Sequence, residues 1–249
     1  MKHFCTVIFL SMLLTGIADA QDFITRGKIE FEVKRNNKRT ISAEDRMNSP
    51  FLAGLPDFDI SYRDLIFSWN QSIYQPGRKA PGVVSIFNNQ TTAYMDLTKQ
   101  QSIRKTNFYG EEYVVEDSIN KVKWKIENET RKIAGWECRK AVGRIYDSVY
   151  VVAFYCPEIM PQGGPELFTG LPGMILGLAI PRYFTTWFAT KIEIANIDET
   201  KIVPPVVKKK KQLSKKEFAE IMLKKIKENG GGKDATLDSI LKMLSGYTL

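Results

Sequence analysis

From Thr25 to Val203 apolar side chains alternate with polar ones and do not recur every three or four residues. Ile29, Phe31 and Val33 alternate with Lys28, Glu30, Glu32 and Lys34, the period of two that marks a half-buried strand. Asp64–Trp69, Val83–Phe87, Thr91–Leu97, Phe108–Val115 and Lys121–Ile126 read as further short strands. The last alternates strictly, with one apolar and one cationic face. Ile133–Ile145, Val149–Tyr155, Gly173–Ile180, Tyr183–Ala189 and Lys191–Ile197 complete the set, and Asn88-Asn89, Asn107 and Asn120 supply turn chemistry between or near them. No amphipathic helix intervenes. The pattern predicts a mainly β chain with an antiparallel meander, not a parallel βαβ fold.

The period changes after Thr200. Val203-Pro204-Pro205 and Lys208, Lys209, Lys210 and Lys211 read as an extended, exposed connector. Ser214-Lys215-Lys216-Glu217 fits a helix-starting capping box. Phe218, Ile221, Met222, Leu223 and Ile226 then form one apolar helix side, and Leu237, Ile240, Leu241 and Leu244 form a second beyond Gly230-Gly231-Gly232. The chain therefore divides into 1–20, 21–203 and 204–249. The first piece has the form of a removable leader: Met1-Lys2-His3, an apolar stretch from Phe4 to Ile17, then Ala18-Asp19-Ala20 with small residues where a signal peptidase reads. That stretch falls short of the roughly 20 residues that span a bilayer, and no later run is longer than Met174–Ile180. Cleavage after Ala20 and export to the periplasm or medium are expected, with no transmembrane segment left; a retained anchor is the alternative. No Cys sits at the cleavage point, so a bacterial lipoprotein anchor is not indicated.

Charge and rare residues narrow the chemistry. Residues 201–249 carry twelve Lys against five acidic residues, +7 of the whole chain's +8. With no Arg and few aromatics beside them, Lys208 to Lys211, Lys215 and Lys216 do not make a nucleic-acid site. They suit either a solvated helix packed on the sheet or contact with an anionic partner. The single His is His3, inside the leader, so the mature chain has no imidazole for triads, general-base work or zinc ligation, and no metal or cofactor is expected. Glu111-Glu112 and Glu116-Asp117 are adjacent pairs on a strand; they point to opposite faces and cannot readily share a proton. Cys138 and Cys156 remain. A hairpin centred on Asp147 pairs residues whose numbers sum to 294, as these two do, which suits a bridge in an oxidising compartment; two buried free thiols are the alternative.

Residues 161–173, Pro-Gln-Gly-Gly-Pro-Glu-Leu-Phe-Thr-Gly-Leu-Pro-Gly, are more than half Gly or Pro and must form a defined loop. Leu171-Pro172-Gly173-Met174 suits a type II turn. The loop reads either as a binding loop at the mouth of the sheet or as a shaped corner that sets strand direction. Gly170-Leu171-Pro172-Gly173-Met174-Ile175 resembles the motif that names the GLPGLI family of exported Bacteroidetes proteins. Trp124-Lys125-Ile126, Ile133–Ala141, Phe154–Ile159 and Gly164-Pro165 extend the resemblance, as does Gly27–Glu32; Met174 and Phe154 depart from it. The resemblance implies a β-rich exported protein without assigned catalytic residues. It further implies a curved half-barrel similar to lipoprotein carriers of the LolA/LolB type, with C-terminal helices.

The expected function is a non-enzymatic binding or accessory protein that holds an apolar small molecule or lipid, or an outer-membrane or other envelope protein, on the sheet's concave face. The alternatives are a docking module that grips an acidic partner with its basic tail, and a carboxylate-dependent hydrolase built on Glu166 or the Glu111 to Asp117 cluster.

Overall fold

A computed structural model of the chain describes residues 23–80, 91–146, 148–194, 197–208, 212–230 and 235–244. The expected leader over 1–20, the expected strand Val83–Phe87, and Lys209, Lys210 and Lys211 lie outside these residues. Six strands run up and down in chain order: β1 (Arg26–Asn36), β2 (Phe58–Ser68), β3 (Gln71–Pro76), β4 (Thr92–Asp96), β5 (Gln101–Phe108) and β6 (Glu111–Ser118). Five more form a second meander: β7 (Lys125–Ile133), β8 (Trp136–Ile145), β9 (Val149–Cys156), β10 (Met174–Ile180) and β11 (Thr185–Glu193). β1 and β11 pair antiparallel, with Val33 opposite Trp187, and so join the two meanders. The short β12 (Leu213–Ser214) pairs parallel with β6. One open, curved, twelve-stranded sheet results, in the order β12-β6-β5-β4-β3-β2-β1-β11-β10-β9-β8-β7. The chain is mainly β, as the alternation predicts.

Parity sets the faces. Ile29 and Phe31 are buried while Lys28, Glu30 and Glu32 are half-buried on the opposite side. Strand register carries that parity across the sheet, so Ile29, Leu65, Tyr74, Ala93, Arg104 and Val115 stand in one row from β1 to β6. This is the inner face, and its apolar core gathers Phe31, Leu65, Phe67, Phe168, Leu171 and Trp187. On the outer face Ile66, Ile73, Tyr94, Ile103 and Val114 are covered by Ile202, with Ile197 and Val207 against them.

Several strand limits differ from the expected ones. Trp69-Asn70, Tyr109-Gly110 and Ala134-Gly135 are two-residue turns, with φ of 50° at Trp69 and 49° at Tyr109 and Ala134. Such left-handed turns match the twist of the strands they join. Phe108–Val115 is therefore not one strand but the end of β5 and the start of β6, and Ile133 belongs to β7 while β8 starts at Trp136. β3 and β5 have no counterpart in the expected set. Their inner-face positions include Ser72, Ser102 and Arg104, so the apolar half of the alternation is missing there. Between β1 and β2 lie three short helices, α1 (Asn37–Thr40), α2 (Ala43–Asn48) and α3 (Pro50–Ala53), capped by Asn36, Ser42 and Ser49. None is long enough to show a helical period.

The chain passes from β6 to β7 through residues 119–124 alone. β6 and β7 stand ten positions apart in the sheet order, about 48 Å if the sheet were flat. The link spans at most about 24 Å. The sheet must therefore curl until its edges approach. This also revises Lys121–Ile126, which is not a strand up to Lys125: Val122 is buried and Trp124 packs inward, but their backbone belongs to the crossing link. The link comes down on β8 at Gly143, where an added Cβ would lie 2.5 Å from Val122 Cγ1 and 3.0 Å from the Trp124 ring.

Beyond β12 the capping box forms as expected, with Ser214 Oγ accepting from Glu217 N–H at 3.2 Å and Glu217 Oε2 accepting from Ser214 N–H at 2.7 Å. It starts α4 (Lys215–Glu228), and α5 (Leu237–Leu244) follows. Phe218, Met222, Ile240 and Leu244 pack on Tyr113 and Val115 at the β6 end of the inner face.

The β8–β9 hairpin has the expected register. Arg139 faces Tyr155 and Ile145 faces Val149, so one further step sets Cys138 opposite Cys156. The expected bridge is nevertheless absent, and both cysteines are free and buried. Burial pushes the Cys138 thiol up to about 12, with the Cys156 sulfur adding to the shift, and raises Cys156 too. Neither offers the thiolate that exchange requires at neutral pH. Because the fold disfavours the thiolate, its stabilisation is complete below the unfolded thiol pKa of about 8.5 and declines as pH rises toward the folded value. A thiol-directed alkylating reagent is expected to leave Cys138 and Cys156 unmodified in the native chain throughout the neutral range. Both should react once the chain is unfolded without reductant, as peptide mass spectrometry can read. Labelling that needs reductant would show that the bridge forms.

Candidate functional site

The Gly/Pro loop is a packed plug, not an open binding loop. Gly163 to Thr169 are buried, Phe168 and Leu171 almost completely. Ile175 N–H donates to Gly163 O at 2.8 Å, Phe168 N–H to Pro165 O at 3.2 Å, Thr169 Oγ1 to Gln162 O, and the Trp124 indole N–H to Thr169 O at 2.9 Å. The motif residues Gly164, Pro165 and Gly170 to Ile175 come together in and beside this plug, where Met174 and Ile175 pair with Cys156 and Tyr155 of β9. The expected type II turn is replaced by a tighter one, since Gly173 N–H donates to Leu171 O at 2.9 Å across Pro172. Met174 N–H is committed to Ile159 O at 2.9 Å. Gly173 has φ of 143°, and a Cβ there would fall well inside van der Waals contact of Cys156 O.

Beside the plug the inner face turns polar. Ser72, Met95, Ser102 and Asp117 form one row across β3 to β6. The adjacent row carries Tyr74, Ala93 and Arg104, so the small Ala93 separates two large polar side chains. Arg63 lies over the Tyr74 ring, 4.8 Å from its centroid, and donates to Thr91 O. Glu166 reaches into this region from the plug. It is 6% exposed and has φ of 57°, a left-handed backbone that non-glycine residues adopt at a cost. Burial first, and then the Glu166 carboxylate, push the Tyr74 hydroxyl well above its ordinary pKa. Burial also lowers the Arg104 pKa, opposed by Glu166, Asp117 and Tyr146. Arg63 and Trp187 approach the Tyr74 hydroxyl closely enough to favour its ionised form, but without hydrogen-bond alignment. Tyr74 Oη, Trp187 Nε1 and Arg104 Nε are thus buried without a hydrogen-bond partner among the described residues.

Two adjoining narrow clefts open here, sharing Ser102, Arg104, Asp117 and Leu244, with Leu167 in the first and Phe218 in the second. The plug and the C-terminal helices therefore wall the polar half of the inner face. Of these residues the sequence reading singled out Glu166 and, as strand-end charge, Asp117; it missed Arg63, Tyr74, Arg104 and Trp187. A signal existed for Arg63, which shares the inward parity of Leu65 and Phe67. A charged residue in that position marks a buried polar group.

The basic tail and the acidic strand meet each other. Lys215 pairs with Asp117 at 3.2 Å and Lys225 with Glu111 at 2.8 Å, while Glu112 pairs with Lys105 at 2.8 Å. Glu116 accepts from Gln101 and Gln212. Lys208 and Lys216 are exposed. Among the described residues no group of three or more His, Cys, Asp or Glu side chains is placed to hold a metal ion.

No protein-family model matches the chain, and no curated protein matches it in sequence. The chain is similar in structure to PNGF-II in its P21 crystal form, with a TM-score of 0.53 and 15% identity over 80% of this chain. The C2 form of PNGF-II matches with a TM-score of 0.48 and 15% identity over 76%. The chain spans about a third of the length of PNGF-II, 33% and 31% in the two forms. At this identity the likeness concerns the fold alone.

Gly173→Ala is expected to destabilise the fold by about 3 kcal/mol or more, since it combines a disallowed φ with a backbone collision. Gly110→Ala, with φ of 79° but nothing within 4 Å, should cost only about 1–2 kcal/mol. Equilibrium denaturation of the two variants checks the difference, and equal losses would show that the close approach to Cys156 does not matter.

Proposed function

We propose that this chain is an exported, non-enzymatic binding protein of the GLPGLI type, and that it holds its ligand in the polar half of the inner face. The observation that carries this reading is the set of buried polar atoms without partners, Tyr74 Oη, Trp187 Nε1 and Arg104 Nε, on the inner face that the plug and C-terminal helices cover. Native interiors satisfy nearly all such groups, and the exceptions concentrate where a ligand or ordered water completes them. The apolar half is filled by the chain's own Phe168 and Leu171, which disfavours a purely hydrocarbon ligand there. The tail-docking alternative is weakened by the engagement of Lys215 and Lys225 with Asp117 and Glu111. Of the carboxylates of a hydrolase reading, Glu111 and Asp117 are likewise drawn into holding α4.

The test is native mass spectrometry of the protein exported by its original host and purified without detergent. The expected result is a discrete excess mass that disappears on denaturation. A bare-chain mass in every gentle preparation would overturn the reading.

A further inference from the structure

Arg104 is 8% exposed at the centre of the polar half. Among the described residues no hydrogen bond and no ion pair reaches its guanidinium, and its Nε is sealed from solvent without a partner. Glu166 and Asp117 act on it only through space, and Asp117 already pairs with Lys215 at 3.2 Å. Buried charges in folded proteins are paired or hydrogen-bonded, because an isolated one loses its hydration with nothing in return. This one instead lines both narrow clefts.

The surroundings define what would complete it. The unsatisfied Arg104 Nε–H is a donor, and a guanidinium has no acceptor, so an acceptor is wanted. Glu166 and Asp117 nearby oppose a dianion more than a monoanion. The walls are Leu167 of the plug, Leu244 of α5 and Phe218 of α4. We propose that the cleft binds an organic carboxylate, its carboxylate paired with the Arg104 guanidinium and its apolar body lying between Leu167 and the C-terminal helices. A guanidinium presents two parallel N–H groups that match a carboxylate. As they stand the two clefts have room for little more than a water molecule, so such a body requires α4 and α5 to shift outward against the ion pairs Lys215–Asp117 and Lys225–Glu111. The proposal rests on the inner-face binding reading and deepens it by naming the ligand class.

The experiment is titration calorimetry of the full chain with octanoate, 1-octanol and inorganic phosphate at matched ionic strength, repeated with Arg104→Met and Arg104→Lys. Octanoate should bind at one site. Its affinity should fall at least tenfold in Arg104→Met and by less in Arg104→Lys, and octanol and phosphate should each bind at least tenfold more weakly than octanoate. Octanoate binding unchanged in Arg104→Met, equal binding of octanol or phosphate, or no octanoate binding would each overturn the proposal. If Arg104→Met does not fold, the side-chain Nε resonance of Arg104 in the native chain decides: it should shift on octanoate titration, and an unmoved resonance counts against the site. A ligand retained in native mass spectra but indifferent to Arg104 would remove this inference and leave the binding reading. A bare chain would remove both.

Discussion

The connection from β6 to β7 governs the shape of the molecule. Residues 119–124 must join strands at nearly opposite ends of the sheet order, a distance that they can span only if the sheet curls. Everything on the inner face follows from that curl. The two meanders share one interior, and the link itself becomes part of it through Val122 and Trp124. Trp124 then reaches the plug and binds Thr169 O, so the same six residues that bend the sheet also tie down the Gly/Pro loop. Gly143 and Gly173 are among the points where the crowded interior leaves no room for a side chain.

An interior enclosed in this way has to dispose of its polar groups. On the β7 to β11 side the inner face is apolar, and Phe168, Leu171 and Ile175 are buried against it. On the β3 to β6 side the rows contain Ser72, Ser102, Arg104 and Asp117; Ser102 Oγ donates to Asp117 O at 3.2 Å, while Arg104 Nε is left without a partner among the described residues. Placing Glu166 at positive φ brings a carboxylate into this half at the expense of backbone strain. Such strain is typical of positions that the surrounding structure holds for a purpose.

Both sheet edges are managed by charge. β7 is an outer strand whose exposed positions carry Lys125, Glu129 and Lys132, and Lys140 binds Glu127 at 3.3 Å and Glu129 at 2.6 Å across a bulged register. Charged, bulged edges resist pairing with another chain. At the other edge β12 covers only Val115 and Glu116 of β6, and the Lys-rich helix α4 leans on the acidic residues beside them. The charge asymmetry between the tail and the rest of the chain is therefore partly consumed within the molecule.

What could be read from the residues alone was whatever depended on short-range period and turn chemistry. The alternation in β1, the continuous apolar run of β9, the capping box at Ser214, the apolar stripe of α5 and the 294 register of the Cys hairpin are all local, because neighbours in sequence determine them. β3 and β5 escaped because polar residues occupy their inward positions, and a buried polar group looks like surface until its neighbours are known. The tertiary structure decided the rest: that Lys121–Ile126 crosses the sheet, that the Gly/Pro loop is a plug, that two opposed cysteines stay apart, and that Lys215 meets Asp117. Arg104 shows why. Its place beside Asp117, Glu166 and the C-terminal helices brings together residues far apart in sequence, and burial without a partner is a property of that assembly, not of any segment in it.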